Sequence, residues 1–336
     1  MNQTKPKGII LLLITAFIWG LSFVAQSVGA DKVEAFTYNG IRTLLGALFL
    51  AAFILVKELV SKGSLKSIAD KKLLKNGLLL GVVFAIASNL QQFAFYYSTA
   101  GKIAFITALY IFFVPLIGII FKRQFHPAIW LCVIAGIAGL YLLSVKDGDF
   151  SSINKGDIYA LACAFFFAIH IMLIDRVSGE SDGIKLSCAQ FTVAGTITVI
   201  LMFFFEKPQI SAISSASLPL LYSGLLSCGV AYTLQIIGQK YTNPVLASLL
   251  MCLESVFAVL SAAVLLKEIP TTREGIGCII MFAAIIASQI IEFRSKRKQI
   301  DHLSWASLFS IDLITILRAF ILAYFLSFDS RTCQGA

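Results

Sequence analysis

A chain of 336 residues with 58% hydrophobic and 13% charged residues and a mean hydropathy of +0.88 is not a soluble domain, which would carry charge on roughly a quarter of its residues. The net charge of +9 marks no nucleic-acid partner, because the lysines and arginines fall between apolar runs rather than in one patch. The composition describes a polytopic helical membrane protein, with the lipid bilayer as its first partner.

Ten apolar runs follow in chain order, at about 8–28, 34–56, 74–97, 102–121, 127–145, 156–175, 185–205, 218–238, 244–266 and 272–292. The first has lysines before it and ends near Val28-Gly29-Ala30, as a secretion signal does. A similar helix recurs in mid-chain, which favours a retained span. The fourth run, GKIAFITALYIFFVPLIGIIFK from Gly101 to Lys122, holds Thr107 and Tyr110 on one face and Pro115 inside. Proline frees a carbonyl that lipid cannot satisfy, so this stretch predicts a kinked helix lining an internal cavity. Six cysteines (Cys132, Cys163, Cys188, Cys228, Cys252 and Cys278) lie inside apolar runs with no CxxC or metal spacing. They read as small apolar fillers, with no metal site and no cofactor.

Orientation follows from the basic residues. With the N-terminus cytoplasmic, inner segments hold seventeen lysines and arginines, six of them between Lys57 and Lys75, and outer segments hold seven. The reading is a multi-pass protein of the cell (inner) membrane.

A repeat is visible at an offset of 148, where Lys7, Gly8, Ile10, Leu13, Ala16 and Phe17 match Lys155, Gly156, Ile158, Leu161, Ala164 and Phe165. The copies begin on opposite sides, five helices apart, as in the inverted repeats of many secondary transporters. Polar residues inside the runs follow the same symmetry. Thr15, Trp19, Ser22 and Gln26 share one helical face. Asn89, Gln92 and Tyr96 superpose on Tyr232, Gln235 and Gln239 at an offset of 143. Phe167 stands opposite Trp19, His170 opposite Ser22, and Gln190 opposite Arg42. The fold class expected is therefore an all-α membrane protein of ten transmembrane helices in two inverted five-helix repeats, 1–148 and 149–293. A basic segment and an apolar tail helix occupy 294–336.

The run ITALYIFFVPLIG (106–118), AGIAGLYLLS (135–144), and Leu253-Glu254-Ser255 followed by Leu265-Leu266-Lys267-Glu268 resemble the EamA-type branch of the drug/metabolite transporter superfamily over about residues 8–292. The resemblance implies two inverted halves, a central cavity, and movement of small metabolites, often amino acids outward. Ser255 departs from it, since the family often has proline after the glutamate, and a less kinked ninth helix is expected. The tail from Trp305 to Phe328 lies outside the resemblance. Asp312 and Arg318 interrupt it, which favours a helix on the inner surface over an eleventh span.

Substrate-binding residues expected from these stripes are Trp19, Ser22, Asn89, Gln92, Tyr96, Tyr110, Phe167, His170, Tyr232, Gln235 and Gln239. The competing reading is helix-to-helix hydrogen bonding and aromatic packing. Arg42 and Glu254 are strong charges inside the spans, serving either coupling or a structural ion pair. Glu254 is the candidate proton carrier and His170 its competitor. His170 and Asp175 spell HxxxxD, but a spacing of five puts them about 140° apart on a helix, and no catalytic set is present. The function expected is secondary transport of a small molecule, with a channel-like facilitator or a small-drug exporter as alternatives. The protein is expected to act as a monomer or homodimer.

Overall fold

The computed structural model describes residues 6–60, 70–120, 127–144, 154–265 and 271–297. The centre of the lysine-rich loop and the expected tail helix over 305–328 lie outside the described residues. Two compact units divide the chain, 1–289 and 290–336; of the second, the described part is the end of one helix.

All regular structure among the described residues is helical. Hairpin-like succession builds the first half from α1 (Pro6–Ala30), α2 (Ala35–Val60), α3 (Lys71–Ala94), α4 (Ala100–Ala108), α5 (Tyr110–Ile120) and α6 (Ala128–Ser144). The second half follows with α7 (Lys155–Val177), α8 (Gly183–Phe205), α9 (Ile210–Ser215), α10 (Ser217–Leu221), a π-helix (Tyr222–Ala231), α11 (Tyr232–Gln239), α12 (Pro244–Met251), α13 (Glu254–Leu265) and α14 (Thr272–Arg297). Among the described residues eight helical runs are long and apolar enough to cross a membrane. The outer surface is apolar, as in a membrane bundle, and polar groups are set into an apolar core. Leu48, Phe49, Phe203 and Phe204 face outward, while Thr15, Asn39, Arg42 and Gln92 are buried.

Two expectations about kinks are corrected. The fourth span breaks at Leu109, not at Pro115, and α5 runs through the proline. Leu109 N donates to Ile106 O at 3.1 Å and Phe112 N to Leu109 O at 2.9 Å, a tight turn of i→i−3 bonds. Proline fixes a helical φ, and α5 continues as helix on both sides of it. The ninth span also breaks, at Cys252 and Leu253, although Ser255 replaces the expected proline. There Ser255 Oγ donates to Ala104 O at 3.0 Å and ties the turn to α4. The breaks at Leu109 and Cys252 are 143 residues apart, the offset already read from the polar stripes.

Polar links fasten the two ends of the bundle. At one end Lys185 pairs with Glu58 at 2.7 Å and Lys57 with Asp182 at 3.6 Å, joining the end of α2 to the start of α8. Asn76 Nδ2 donates to Glu180 there at 3.1 Å, and with Lys72 it holds this exposed carboxyl below the ordinary carboxylate range. At the other end Glu206, just after α8, accepts from Phe36 N, Thr37 N and Thr37 Oγ1 at 2.6–2.8 Å and so caps the start of α2. Helices α2 and α8 are therefore antiparallel. Lys102 pairs with Asp157 at 2.8 Å at this same end, and Asn154 caps α7.

Glycines bring helix backbones together where a side chain would hold them apart. A Cβ on Gly20 would sit 2.3 Å from Phe257 Cβ and 2.8–2.9 Å from the backbone of Phe257 and Ala258. Gly20→Ala is expected to destabilise the protein by about 1–3 kcal/mol, because backbone cannot yield as a flexible side chain can. A lowered unfolding temperature in detergent is the readout. An unchanged temperature would contradict so close an approach of α1 to α13.

Candidate functional site

The helix breaks open a cavity in the middle of the bundle, with about 400 Å³ of atom-free space, part of it open to solvent. Tyr110 is the first residue of α5 and Glu254 the first of α13, so each enters the cavity wall as its helix restarts. Trp19, Ser22 and Gln26 line it from one face of α1, at the i, i+3, i+7 positions. Arg42 reaches it from α2, and Gln91 and Thr107 from α3 and α4. The second half contributes Phe167 and Ile171 from α7, Ser227 from the π-helix, and Tyr232 and Gln235 from α11.

The wall is aromatic with buried polar groups set into it. Tyr232 packs against Trp19, ring centres 4.5 Å apart, and stacks with Phe167 at 6.5 Å. It stands at the exit of the π-helix, whose wider turn shifts the register of the side chains that follow. Thr233 Oγ1 bonds back to Gly229 O at 2.7 Å across that junction. Arg42 is 2% exposed and Glu254 4%. Arg42 Nε donates to Asn39 Oδ1 at 2.8 Å, and its guanidinium lies over the Tyr38 ring at 5.9 Å. Among the described residues Arg42 and Glu254 form no ion pair with each other or with any other group. Glu254 Oε1, Tyr110 Oη, Trp19 Nε1, Gln26 Oε1 and Gln235 Oε1 all lack a hydrogen-bond partner. Tyr110 Oη and Glu254 face each other within hydrogen-bonding reach, short of a well-formed bond.

Of the residues expected from the stripes, Trp19, Ser22, Tyr110, Phe167, Tyr232 and Gln235 are brought together here, with Arg42 and Glu254. Five others lie outside the cavity. Asn89 accepts from Asn39 Nδ2 at 2.6 Å and donates to Thr198 Oγ1 at 3.0 Å, so it joins α3 to α2 and α8. Tyr96 follows α3 at its end, 43% exposed, and its hydroxyl accepts from Ala35 N at 2.6 Å. Gln239 Nε2 donates to Ile171 O at 3.0 Å. His170 Nε2 meets Gln190 Oε1 at 3.0 Å, fully buried, and Gln92 is fully buried with neither amide atom bonded. The reason is rotation: Gln91, one residue before Gln92, takes the cavity face of α3. Gln26 belongs to the α1 stripe and Thr107 to the face of Tyr110, so a pattern existed for both. Gln91 had none, since it stands about 100° round the helix from its neighbour.

The profile of the EamA-like transporter family matches this chain twice, over residues 6–145 and 154–289. A protein of Archaeoglobus fulgidus described as an uncharacterized transporter is 28% identical over 277 residues, covering 82% of this chain and 83% of that one. The uncharacterized transporter YoaV of Bacillus subtilis is 23% identical over 297 residues, 86% of this chain and 99% of its own length. A solved crystal structure superposes with a TM-score of 0.72 over 87% of this chain and all of its own, at 16% identity, which shows a shared fold. The chain is a multi-pass membrane protein and belongs to the EamA-like transporter family.

Proposed function

We propose that this chain is a secondary transporter that moves a small metabolite across the cytoplasmic membrane by alternating access, in the direction of export, with its N-terminus in the cytoplasm. The two repeats, 1–148 and 149–293, act as inverted halves around the cavity. One observation carries the reading: a cavity between the halves is walled by buried polar atoms without partners. A bundle held together by interhelical hydrogen bonds would satisfy them internally, because each unsatisfied buried group costs about 1–3 kcal/mol. A solute and its water satisfy them instead.

The chemistry of the wall suggests the solute class. Arg42 offers donors for a carboxylate, Glu254 an acceptor for an ammonium group, and Trp19, Phe167 and Tyr232 apolar surface between. That set suits an amino acid or similar small amphiphile better than a polyanion. Reconstituted into liposomes, the protein is expected to accumulate such a solute against its gradient when a pH gradient is imposed. Movement that stops at equal concentrations on both sides would mean a facilitator instead. A thermal-shift screen with amino acids, nucleosides and cationic drugs selects the solute to use.

A further inference from the structure

The cavity is lopsided with respect to the repeat, and the imbalance is informative. Trp19 and Phe167 stand 148 residues apart and both line it, as do Phe23 and Ile171. These two pairs form its symmetric centre. Beyond the centre the symmetry fails. Ser22 and Arg42 line the cavity, but their counterparts at the same offset, His170 and Gln190, are bonded to each other and fully buried.

We propose that His170 and Gln190 form a second polar wall, which lines the cavity when it faces the opposite end of the bundle. This rests on the alternating-access reading above. Position supports it first. Arg42 is seven residues into α2 from Ala35, and Gln190 is seven residues into α8 from Gly183. The two helices are antiparallel, so equal depth places these residues toward opposite ends. Unmet hydrogen bonding supports it second. His170 Nδ1 and Gln190 Nε2 are buried without partners. Such atoms are costly in a single state, and a second state that hydrates them offsets the cost. In that state Ser22 and Arg42 withdraw, and the mirror of the His170–Gln190 bond joins Arg42 to the Ser22 hydroxyl.

Matching closures exist at the two ends. A Cβ on Gly8 would lie 2.5 Å from Thr242 Oγ1 and 2.9 Å from Gly238 O, where the start of α1 meets the end of α11. A Cβ on Gly156 would lie 2.9 Å from Ala94 O and from Tyr97 Cβ, where the start of α7 meets the end of α3. Gly8 and Gly156 are themselves repeat partners. Opening the first contact clears the way to His170 and Gln190.

The test is cysteine labelling with a membrane-impermeant methanethiosulfonate reagent, in a background with the native cysteines replaced, on right-side-out and inside-out vesicles. Ser22→Cys is expected to react at least tenfold faster from one face, and His170→Cys and Gln190→Cys at least tenfold faster from the other. Each of these two variants reports the second wall by itself if the other fails to reach the membrane. A disulfide between Gly8→Cys and Thr242→Cys is expected to stop labelling of the second wall and spare Ser22→Cys. Labelling of both walls from one face, or of Ser22→Cys alone, overturns the proposal, as does a second wall indifferent to the disulfide. Labelling needs no solute and no gradient, so a failure of transport in liposomes is read separately. With the N-terminus cytoplasmic, Ser22→Cys is the one labelled from outside.

Discussion

Replacing Glu254 with glutamine is expected to abolish solute accumulation driven by a pH gradient while downhill exchange of the solute continues. Glu254 begins α13 at the cavity wall, 4% exposed, with Oε1 unbonded and no ion pair to Arg42. An ionised carboxyl without a countercharge is costly in such a place, so closure of the cavity around it goes with neutralisation, by a proton or by a bound cation. A group that exchanges its proton with whichever side it faces couples proton movement to solute movement. Glutamine keeps the shape and the hydrogen-bonding oxygen but carries no exchangeable acid proton. Initial rates of pH-driven uptake and of solute counterflow in the same liposomes give the comparison. Unchanged pH-driven uptake would remove Glu254 from the role and pass it to His170, which in this state is bonded to Gln190 rather than open to the cavity.

Arg42→Gln is expected to raise KM for a carboxylate-bearing solute roughly ten- to hundredfold, with a much smaller effect on a solute that lacks the carboxylate. A hydrogen bond to a charged group contributes about 1.5–3 kcal/mol, and about 1.4 kcal/mol corresponds to a factor of ten. Asn39 Oδ1 holds Arg42 by Nε alone, which leaves the terminal nitrogens for the solute. Glutamine is also the residue that stands at the equivalent position of the second repeat, Gln190, so the helix tolerates it there. A KM unchanged for both kinds of solute would make Arg42 a structural residue, serving Asn39 and the Tyr38 ring. The unfolding temperature of the variant separates the two outcomes from a general loss of structure.

Much of this protein was legible in the sequence because a bilayer leaves few choices. Backbone polar groups must be satisfied within each crossing segment, so apolar runs about twenty residues long become helices wherever they sit. Polar residues on one face of such a run must turn inward, and that placed Trp19, Ser22, Tyr110, Tyr232 and Gln235 in the cavity. The repeat offsets found by comparing residues reappear in three dimensions as paired helix breaks at Leu109 and Cys252. Sequence also marked Arg42 and Glu254, since charge inside an apolar run has to be accounted for.

Tertiary structure decided which inward residues meet the cavity. A stripe fixes a helical face to within about a quarter turn, and a shift of one residue exchanges Gln92 for Gln91. Asn89 was drawn into bonds with Asn39 and Thr198, neighbours from helices far away in the chain. The break at Leu109 is a tight turn placed before Pro115 rather than at it, and Ser255 joins its own break to Ala104 across 151 residues. Periodicity along one helix carries no record of which distant backbone or side chain completes a bond. Packing alone determines whether an inward polar residue faces solute, another helix, or the side of the bundle that has yet to open.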